Sequence, residues 1–277
     1  MDARAMKAPK LLLYHDITSH GTIPAEEAAR RFDEQLARIS SAGLNFRTMQ
    51  EYLDGRLGHR DVVVTFDDAL RSFHDVAWPV LRRHGIAPTL FVVSQFAGRS
   101  DARGVLMGWD EVRAVAEQGV TVGGHAATHV PLDEIAPERM RREIAQSTRS
   151  FAEQGLPVST FAYPFGRFNA ETKAVVEAAG YKAAFTVMNG GADRFEIRRR
   201  LLTGGESPAW LRLVLSDRFF EVRNAARLMV PARLLKQDQP IARSRWGAQA
   251  LGLAEVEPRS GDAHEREVAL EPTNNDS

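Results

Sequence analysis

The feature that most constrains the fold is an alternation of short apolar runs with amphipathic stretches, from Leu11 to about Thr203. The runs have the length of strands, which we predict at Leu11–Tyr14, Val62–Phe66, Thr89–Val93, Val120–Val122, Thr160–Tyr163 and Ala183–Val187. Helices are predicted at Pro24–Ala42, Phe73–His84, Trp109–Gln118, Pro137–Gln154 and Asn169–Ala179, each followed directly by a glycine. This alternation favours a parallel sheet, either open or closed into a barrel.

The pattern fades after Thr203, which sets the predicted domain boundaries. Arg218–Leu235 has the pattern of a basic amphipathic helix interrupted by Pro231, and the residues beyond Gln237 are polar and without periodicity. We therefore divide the chain into a short lead (1–8), one α/β domain (9–215), a helical extension (216–236) and a disordered tail (237–277). One barrel of this kind accounts for most of a 277-residue chain.

Composition excludes several classes of function. The chain has 36 basic and 36 acidic residues, and a net charge of zero argues against a nucleic-acid-binding protein. It has no cysteine, which excludes disulfides, a thiolate nucleophile and cysteine-bound zinc. No apolar run reaches the roughly 20 residues of a membrane span, and no signal-peptide core is found. The cytoplasm is therefore the expected compartment.

Two polar motifs follow predicted strands. Asp67 and Asp68 come directly after Val62–Phe66, where side chains of a parallel sheet line the functional edge, so that one carboxylate can bind a metal while the other acts as a base. Helix capping is the alternative for either residue. His125 and His129 follow Val120–Val122, and their spacing of four can present two imidazoles to one ion, although such pairs are also common on surface helices. Two histidines and one aspartate make a ligand set with positions open to water.

Two further segments are candidates at the same edge. Tyr163-Pro164-Phe165-Gly166 ends a strand in a turn that can aim a backbone N–H into a cleft, or be an ordinary turn. His15 follows the first strand, where it can exchange a proton with a substrate or have a structural role.

Taken in this order, the segments resemble the polysaccharide deacetylases, that is, the NodB homology domain or carbohydrate esterase family 4. The resemblance covers about residues 9–215. It rests on five segments: Leu-Leu-Leu-Tyr-His-Asp-Ile, Thr-Phe-Asp-Asp, Ala-Pro-Thr-Leu-Phe-Val-Val, Gly-Gly-His-Ala-Ala-Thr-His-Val-Pro-Leu and Phe-Ala-Tyr-Pro-Phe-Gly. It implies a distorted (β/α) barrel and a hydrolase that removes N-acetyl groups from an N-acetylhexosamine-containing polysaccharide or glycan precursor.

The resemblance also implies roles for the candidate residues. Asp68, His125 and His129 are expected to hold a divalent metal, usually zinc in this family. Asp67 is expected to be the general base, which takes a proton from the metal-activated water that attacks the acetamide. The backbone N–H of Phe165, where the family commonly has tyrosine, is expected to stabilise the oxyanion.

The sequence departs from the family pattern at two points. The arginine that usually orients the base is replaced by Ala162, and we expect the run Arg198–Arg200 to supply it, with Arg200 as the predicted residue. The late Leu-x-His motif that usually carries the general acid is absent, since only His264 follows His129. Relatives with an N-terminal Tyr-His-x-Ile motif place this histidine at the start of the domain, so His15 is the predicted acid.

Substrate and partners are less constrained. Trp109 and Tyr163, with the adjacent Pro164, are the predicted sugar contacts, and core packing is the alternative for both rings. A lipid-linked sugar or small amide is the alternative substrate, and a catalytically silent carbohydrate-binding module is the alternative class. The helix at Arg218–Leu235 could contact a membrane surface or a partner, but packing across the barrel end is favoured. The oligomeric state is not indicated.

Overall fold

The computed structural model describes residues 8–101, 104–187, 190–191 and 193–222, within which short strands alternate with helices. The strands are β1 (Lys10–Tyr14), β2 (Asn45–Arg47), β3 (Asp61–Phe66), β4 (Thr89–Val92), β5 (Ser100–Asp101), β6 (Gly104–Val105), β7 (Thr121–Gly124), β8 (Thr160–Ala162), β9 (Ala183–Thr186), β10 (Ile197–Arg198) and β11 (Arg200–Leu201). The α-helices are α1 (Ala25–Ser41), α2 (Met49–Leu53), α3 (Trp78–Arg83), α4 (Trp109–Glu117), α5 (Pro137–Glu153), α6 (Ala170–Ala178) and α7 (Pro208–Leu215). A π-helical turn, Phe73–Ala77, leads into α3.

The main sheet is parallel, and its two edges are formed by neighbouring parts of the chain. Its order is β10-β9-β8-β7-β4-β3-β1-β11, with β2 added beside β3. Because only Arg199 separates β10 from β11, one extended segment pairs with β9 on one side and with β1 on the other. The sheet is thus a nearly closed barrel, which confirms the predicted distorted (β/α) barrel.

Alternate strand residues fill the inside of the barrel. The buried side chains of Leu11, Val63, Phe91 and Phe185 pack together there. Helix α2 packs against this cluster through Met49. Because Leu11 and Val63 lie near the start of their strands, α2 covers the amino-terminal end of the barrel, and the carboxyl-terminal end is left for the site.

The helices pack around the outer faces of the strands. On α1, Phe32, Leu36 and Ile39 are buried at the predicted spacing and join the largest core cluster. The helix ends before Gly43, whose φ of +73° lies in the left-handed region that favours glycine. Burial of such an amphipathic face contributes most of the stability of a helix of this length.

All six predicted strands and all five predicted helices are confirmed, and most of their predicted ends agree with the structure within one or two residues. The prediction missed β2, α2, the hairpin of β5 and β6, the closing strands β10 and β11, and α7. Phe219 is buried in the main core, so the described start of the predicted helix Arg218–Leu235 packs against the barrel. The rest of that helix, the predicted tail and residues 1–7 lie outside the described residues. None of the described helices combines the length and the apolar character that crossing a bilayer would require.

Candidate active site

Asp68, His125 and His129 form one buried cluster at the carboxyl-terminal end of the barrel. Asp68 lies just beyond the end of β3, and His125 directly follows β7. The Nε2 atom of His129 lies 3.3 Å from Oδ1 of Asp68, and that of His125 lies 3.8 Å from the same oxygen. One ligand atom from each residue lies within 4.8 Å of the others. The predicted metal ligands are therefore brought together in a group able to hold an ion.

The hydrogen bonds of His125 fit metal binding. Its Nδ1 lies 2.7 Å from the carbonyl oxygen of Ala162. Since a carbonyl can only accept, Nδ1 carries the proton and Nε2 directs its lone pair toward the cluster. Burial lowers the pKa of His125, although Asp67 and Asp68 act in the opposite direction, so the imidazole is neutral as a ligand must be.

The backbone at the site is strained. Five non-glycine residues at this edge of the barrel have left-handed φ angles: Asp68 (+72°), Ala69 (+55°), Ala126 (+61°), His129 (+56°) and Phe165 (+59°). Each such residue costs about 1–3 kcal/mol and persists only where the surrounding structure fixes it. Strain concentrated in this way is typical of functional sites, and it agrees with the placement of the ligands.

Asp67 lies beside the cluster and is held by Arg199. The guanidinium donates to both carboxylate oxygens, at 2.6 and 2.7 Å, and to Thr65 Oγ1 at 3.1 Å. Inside the barrel it lies against the rings of Phe91 and Phe185, with its Cζ 5.1 and 5.9 Å from their centroids. Burial by itself raises the pKa of Asp67, but the charge and hydrogen bonds of Arg199, together with the nearby His125 and His15, outweigh it and hold the pKa below its ordinary value.

The prediction that Arg200 orients the base was wrong by one residue. Successive side chains of a strand point to opposite faces, so Arg199 faces the inside of the barrel and Arg200 the outside. Arg200 pairs in register with Leu12 of β1 and donates to the carbonyl oxygens of Val214 and Ser216. Sequence reasoning missed Arg199 because two-residue strands give no periodicity from which to assign faces.

His15 follows β1 at the same edge of the barrel. The N–H of Asp67 donates to the carbonyl oxygen of Tyr14 at 2.9 Å, so the backbone of His15 lies next to that of Asp67. The two side chains are close enough for His15 to contribute to lowering the pKa of Asp67. The loop after His15 is fixed by Asp16, whose carboxylate accepts from the N–H and the hydroxyl of Thr18 at 2.8 and 2.7 Å.

The turn after β8 lies against the metal-ligand cluster. The half-buried ring of Phe165 meets the ring of His129 edge to face, with centroids 4.6 Å apart. Gly166 has a φ of +64°, and a Cβ there would lie 2.8 Å from the backbone nitrogen of Val187, so the turn requires glycine. Pro164 is buried in this turn, which disfavours its predicted contact with substrate.

The predicted sugar-stacking residues are core residues. Tyr163 is fully buried, donates its hydroxyl to the carbonyl oxygen of Phe195 at 3.0 Å and stacks on Phe168. Its prediction as a sugar contact was wrong, because it has no surface for a ligand. Trp109 is half-buried and packs edge-on against Phe151 with centroids 5.3 Å apart, as in the core-packing alternative.

The two glycines before His125 allow side chains of neighbouring elements to pack directly against the backbone of β7. A Cβ on Gly123 would lie 2.6 Å from ring carbons of Phe91 and 2.8 Å from Thr160 Oγ1. A Cβ on Gly124 would lie 2.6 Å from the hydroxyl of Tyr181. Only glycine fits at these positions, and it brings His125 into the barrel mouth.

Comparison with known proteins agrees with this arrangement. Residues 54–184 match the family model for polysaccharide deacetylase. The Bacillus subtilis protein YxkH, assigned by name to these deacetylases, is 25% identical over 190 residues, or 66% of each protein. A Staphylococcus aureus poly-β-1,6-N-acetyl-D-glucosamine N-deacetylase is 20% identical over 210 residues, which are 69% of this chain and 68% of the relative.

A solved structure also matches. IcaB from Ammonifex degensii superimposes with a TM-score of 0.63 and 25% identity, over 76% of this chain and 98% of that chain. Motifs, barrel and ligand cluster agree with this comparison: over residues 54–184 the chain matches the polysaccharide deacetylase family, the NodB-domain family that its motifs predicted.

Proposed function

We propose that this protein is a metal-dependent hydrolase that removes N-acetyl groups from an N-acetylhexosamine-containing glycan. The observation that carries the proposal is the adjacency of two differently held carboxylates. Asp68 contacts His125 and His129, whereas Asp67 is bound on both oxygens by Arg199. One carboxylate is thus suited to hold an ion, and the other is kept ionised to accept a proton.

The donor set supports a divalent cation, and we propose zinc. Neutral imidazole nitrogens with one carboxylate are ligands that zinc accepts in catalytic sites, where a further position is left for water or substrate. When bound, the ion lowers the pKa of water and polarises the acetamide oxygen. The same donors also suit other transition metals, so the metal content of the purified protein decides which ion is used.

The residues of the chain then have separate parts in the reaction. Asp67 takes a proton from the attacking water as the water oxygen bonds to the acetamide carbon. The N–H of Phe165 donates to the carbonyl oxygen as that oxygen gains negative charge. His15 gives a proton to the nitrogen as the C–N bond breaks, which releases acetate and the free amine. Arg199 keeps Asp67 ionised and correctly oriented throughout.

The substrate class is supported by the relatives. The Staphylococcus aureus relative is named for poly-β-1,6-N-acetyl-D-glucosamine, and we propose a polymer or precursor of N-acetylhexosamine here. Tyr163 is fully buried and the half-buried Trp109 packs against Phe151, so we propose that Phe165, which lies beside the metal ligands, is the aromatic ring that contacts the substrate. A lipid-linked sugar or small amide remains the second candidate. The predicted cytoplasmic location would favour a precursor, and fractionation of cells that express a tagged chain tests that location.

Acetate release from a panel of N-acetylated glycans, a lipid-linked sugar and small amides tests the proposal. We expect release from at least one glycan, its loss with chelator and its return with added zinc. Asp67→Asn should bind metal like the wild type but lose roughly 10²–10⁴-fold in turnover, the usual contribution of a general base. Asp68→Ala should lose metal and activity together. Metal binding without acetate release from any glycan would favour the silent module instead.

A further inference from the structure

We propose that Glu143 of α5 is a positioning residue for the metal site, which acts through Thr128. The Glu143 side chain is buried, with 6% of the residue exposed. One carboxylate oxygen accepts the N–H of Thr128 at 2.8 Å, and the other accepts its hydroxyl at 2.6 Å. Thr128 lies between the two histidines of the ligand cluster, so this clamp holds the turn that presents both imidazoles. The inference deepens the proposed metal-dependent function, on which it rests.

The turn between the histidines needs external support. Ala126 and His129 have φ angles of +61° and +56°, which side chains rarely adopt without constraint. The carbonyl oxygens of Ala126 and Ala127 accept from the N–H groups of Ser94 and Gln95, at 3.3 and 3.0 Å. These bonds fix the first part of the turn from the loop after β4. The remaining part, next to His129, is fixed by Glu143.

The clamp differs in kind from the other supports. The bonds from Ser94 and Gln95 involve only backbone, so no side-chain substitution removes them directly. Glu143 reaches the turn from a helix on the outside of the barrel, and it binds both donors of the residue that precedes His129. Partners that orient a metal ligand in this way typically change metal affinity 10–100-fold when they are removed.

Three substitutions separate the clamp from general effects on packing. Glu143→Met keeps the approximate volume but removes both acceptors, and we expect the dissociation constant for Co²⁺ to rise about 10–100-fold, with a changed visible spectrum of the bound ion. Glu143→Gln should stay within a few-fold of the wild type, because its amide can accept from the Thr128 N–H and donate to the hydroxyl. Thr128→Val, which loses only the hydroxyl bond, should fall between them.

The controls are a substitution on the same helix and a double variant. Ser147→Ala alters another fully buried residue of α5, one turn from Glu143, and should leave the Co²⁺ affinity unchanged. In a Glu143→Met, Thr128→Val double variant the losses should not add, because Thr128→Val removes one of the two bonds that Glu143→Met already removes.

Several outcomes would overturn the inference. Co²⁺ affinity and spectrum unchanged in Glu143→Met, with only a lower melting temperature, would give Glu143 a purely structural role. Equal losses in Glu143→Gln and Glu143→Met would refute the two-bond clamp. None of these readouts uses a glycan. A wild type that binds Co²⁺ but releases no acetate would refute the proposed activity and leave the clamp standing, whereas a wild type that binds no metal would refute both.

Discussion

Replacement of Arg199 by methionine tests how the general base is kept ready. Arg199 is fully buried, Asp67 is 3% exposed, and the guanidinium bonds both oxygens of the carboxylate. Removal of one partner of such a pair leaves an uncompensated buried charge and typically costs about 3–5 kcal/mol. We therefore expect Arg199→Met to lose stability of that order at neutral pH and to lose about 10²–10⁴-fold in turnover.

The pH dependence gives the sharper test. In the wild type the pKa of Asp67 is lowered in the folded state, so its contribution to stability is present above the unfolded pKa and is lost as pH falls through the folded one. In Arg199→Met, the group that offsets burial most is gone, so the folded pKa of Asp67 rises. Stability is then lost as pH rises through that value, so the difference between the two proteins should be large at pH 7 and shrink toward pH 4.

Urea unfolding at a series of pH values measures this difference, and Arg200→Met is the matched control. Arg200 is also buried, and burial lowers its pKa to about 10, but it bonds carbonyl oxygens outside the barrel. Its loss should lower stability without moving the acid limb of kcat/KM, whereas Arg199→Met should move that limb to higher pH. An Asp67→Asn, Arg199→Met double variant should regain much of the lost stability. A stability difference that does not depend on pH would refute this account of Arg199.

Three further substitutions test other parts of the structure. His15→Gln should lower kcat with metal still bound, and an unchanged acetate-release rate would exclude His15 as the acid. Trp109→Ala should cost about 3–5 kcal/mol in urea unfolding, because the ring packs on Phe151, while KM for any active glycan stays the same; a raised KM would restore the sugar-contact interpretation. Gly123→Ala should cost about 1–3 kcal/mol, because its Cβ would lie 2.6 Å from the Phe91 ring, and wild-type stability would contradict the close approach.

The sequence predicted the elements that have a strong period and the residues that follow them. Apolar runs followed by Asp67-Asp68 and by Gly-Gly-His place the three predicted ligands at the ends of β3 and β7, and this requires no knowledge of the register. Whether a strand residue faces the inside or the outside of the barrel is harder to predict from the sequence. Ala162 lies inside the barrel, so the next residue, Tyr163, faces the outer helices and is buried there. Alternation alone could have predicted this, had the inward residue of β8 been known.

The site also depends on contacts that link distant parts of the sequence. Glu143 reaches Thr128 from the following helix, and Arg199 reaches Asp67 across 132 positions. Neither pair leaves a local pattern, because the partners meet only through the packing of α5 against the barrel and the closure of the sheet. Motif reasoning therefore found Asp67 and the cluster of Asp68, His125 and His129, while the residues that hold them in place required the structure.

Closure of the barrel and the pairing of Asp67 with Arg199 are consequently linked. The segment that joins β9 to β1 carries Arg199 at its centre, so the guanidinium reaches Asp67 only when both edges of the sheet are paired. The proposed ligands Asp68 and His125 follow β3 and β7, and β4 lies between these two strands and pairs with both. The distance between Asp68 and His125 therefore does not depend on the closing strands β10 and β11. Loosening of β10 and β11 should therefore abolish proton transfer before it abolishes metal binding.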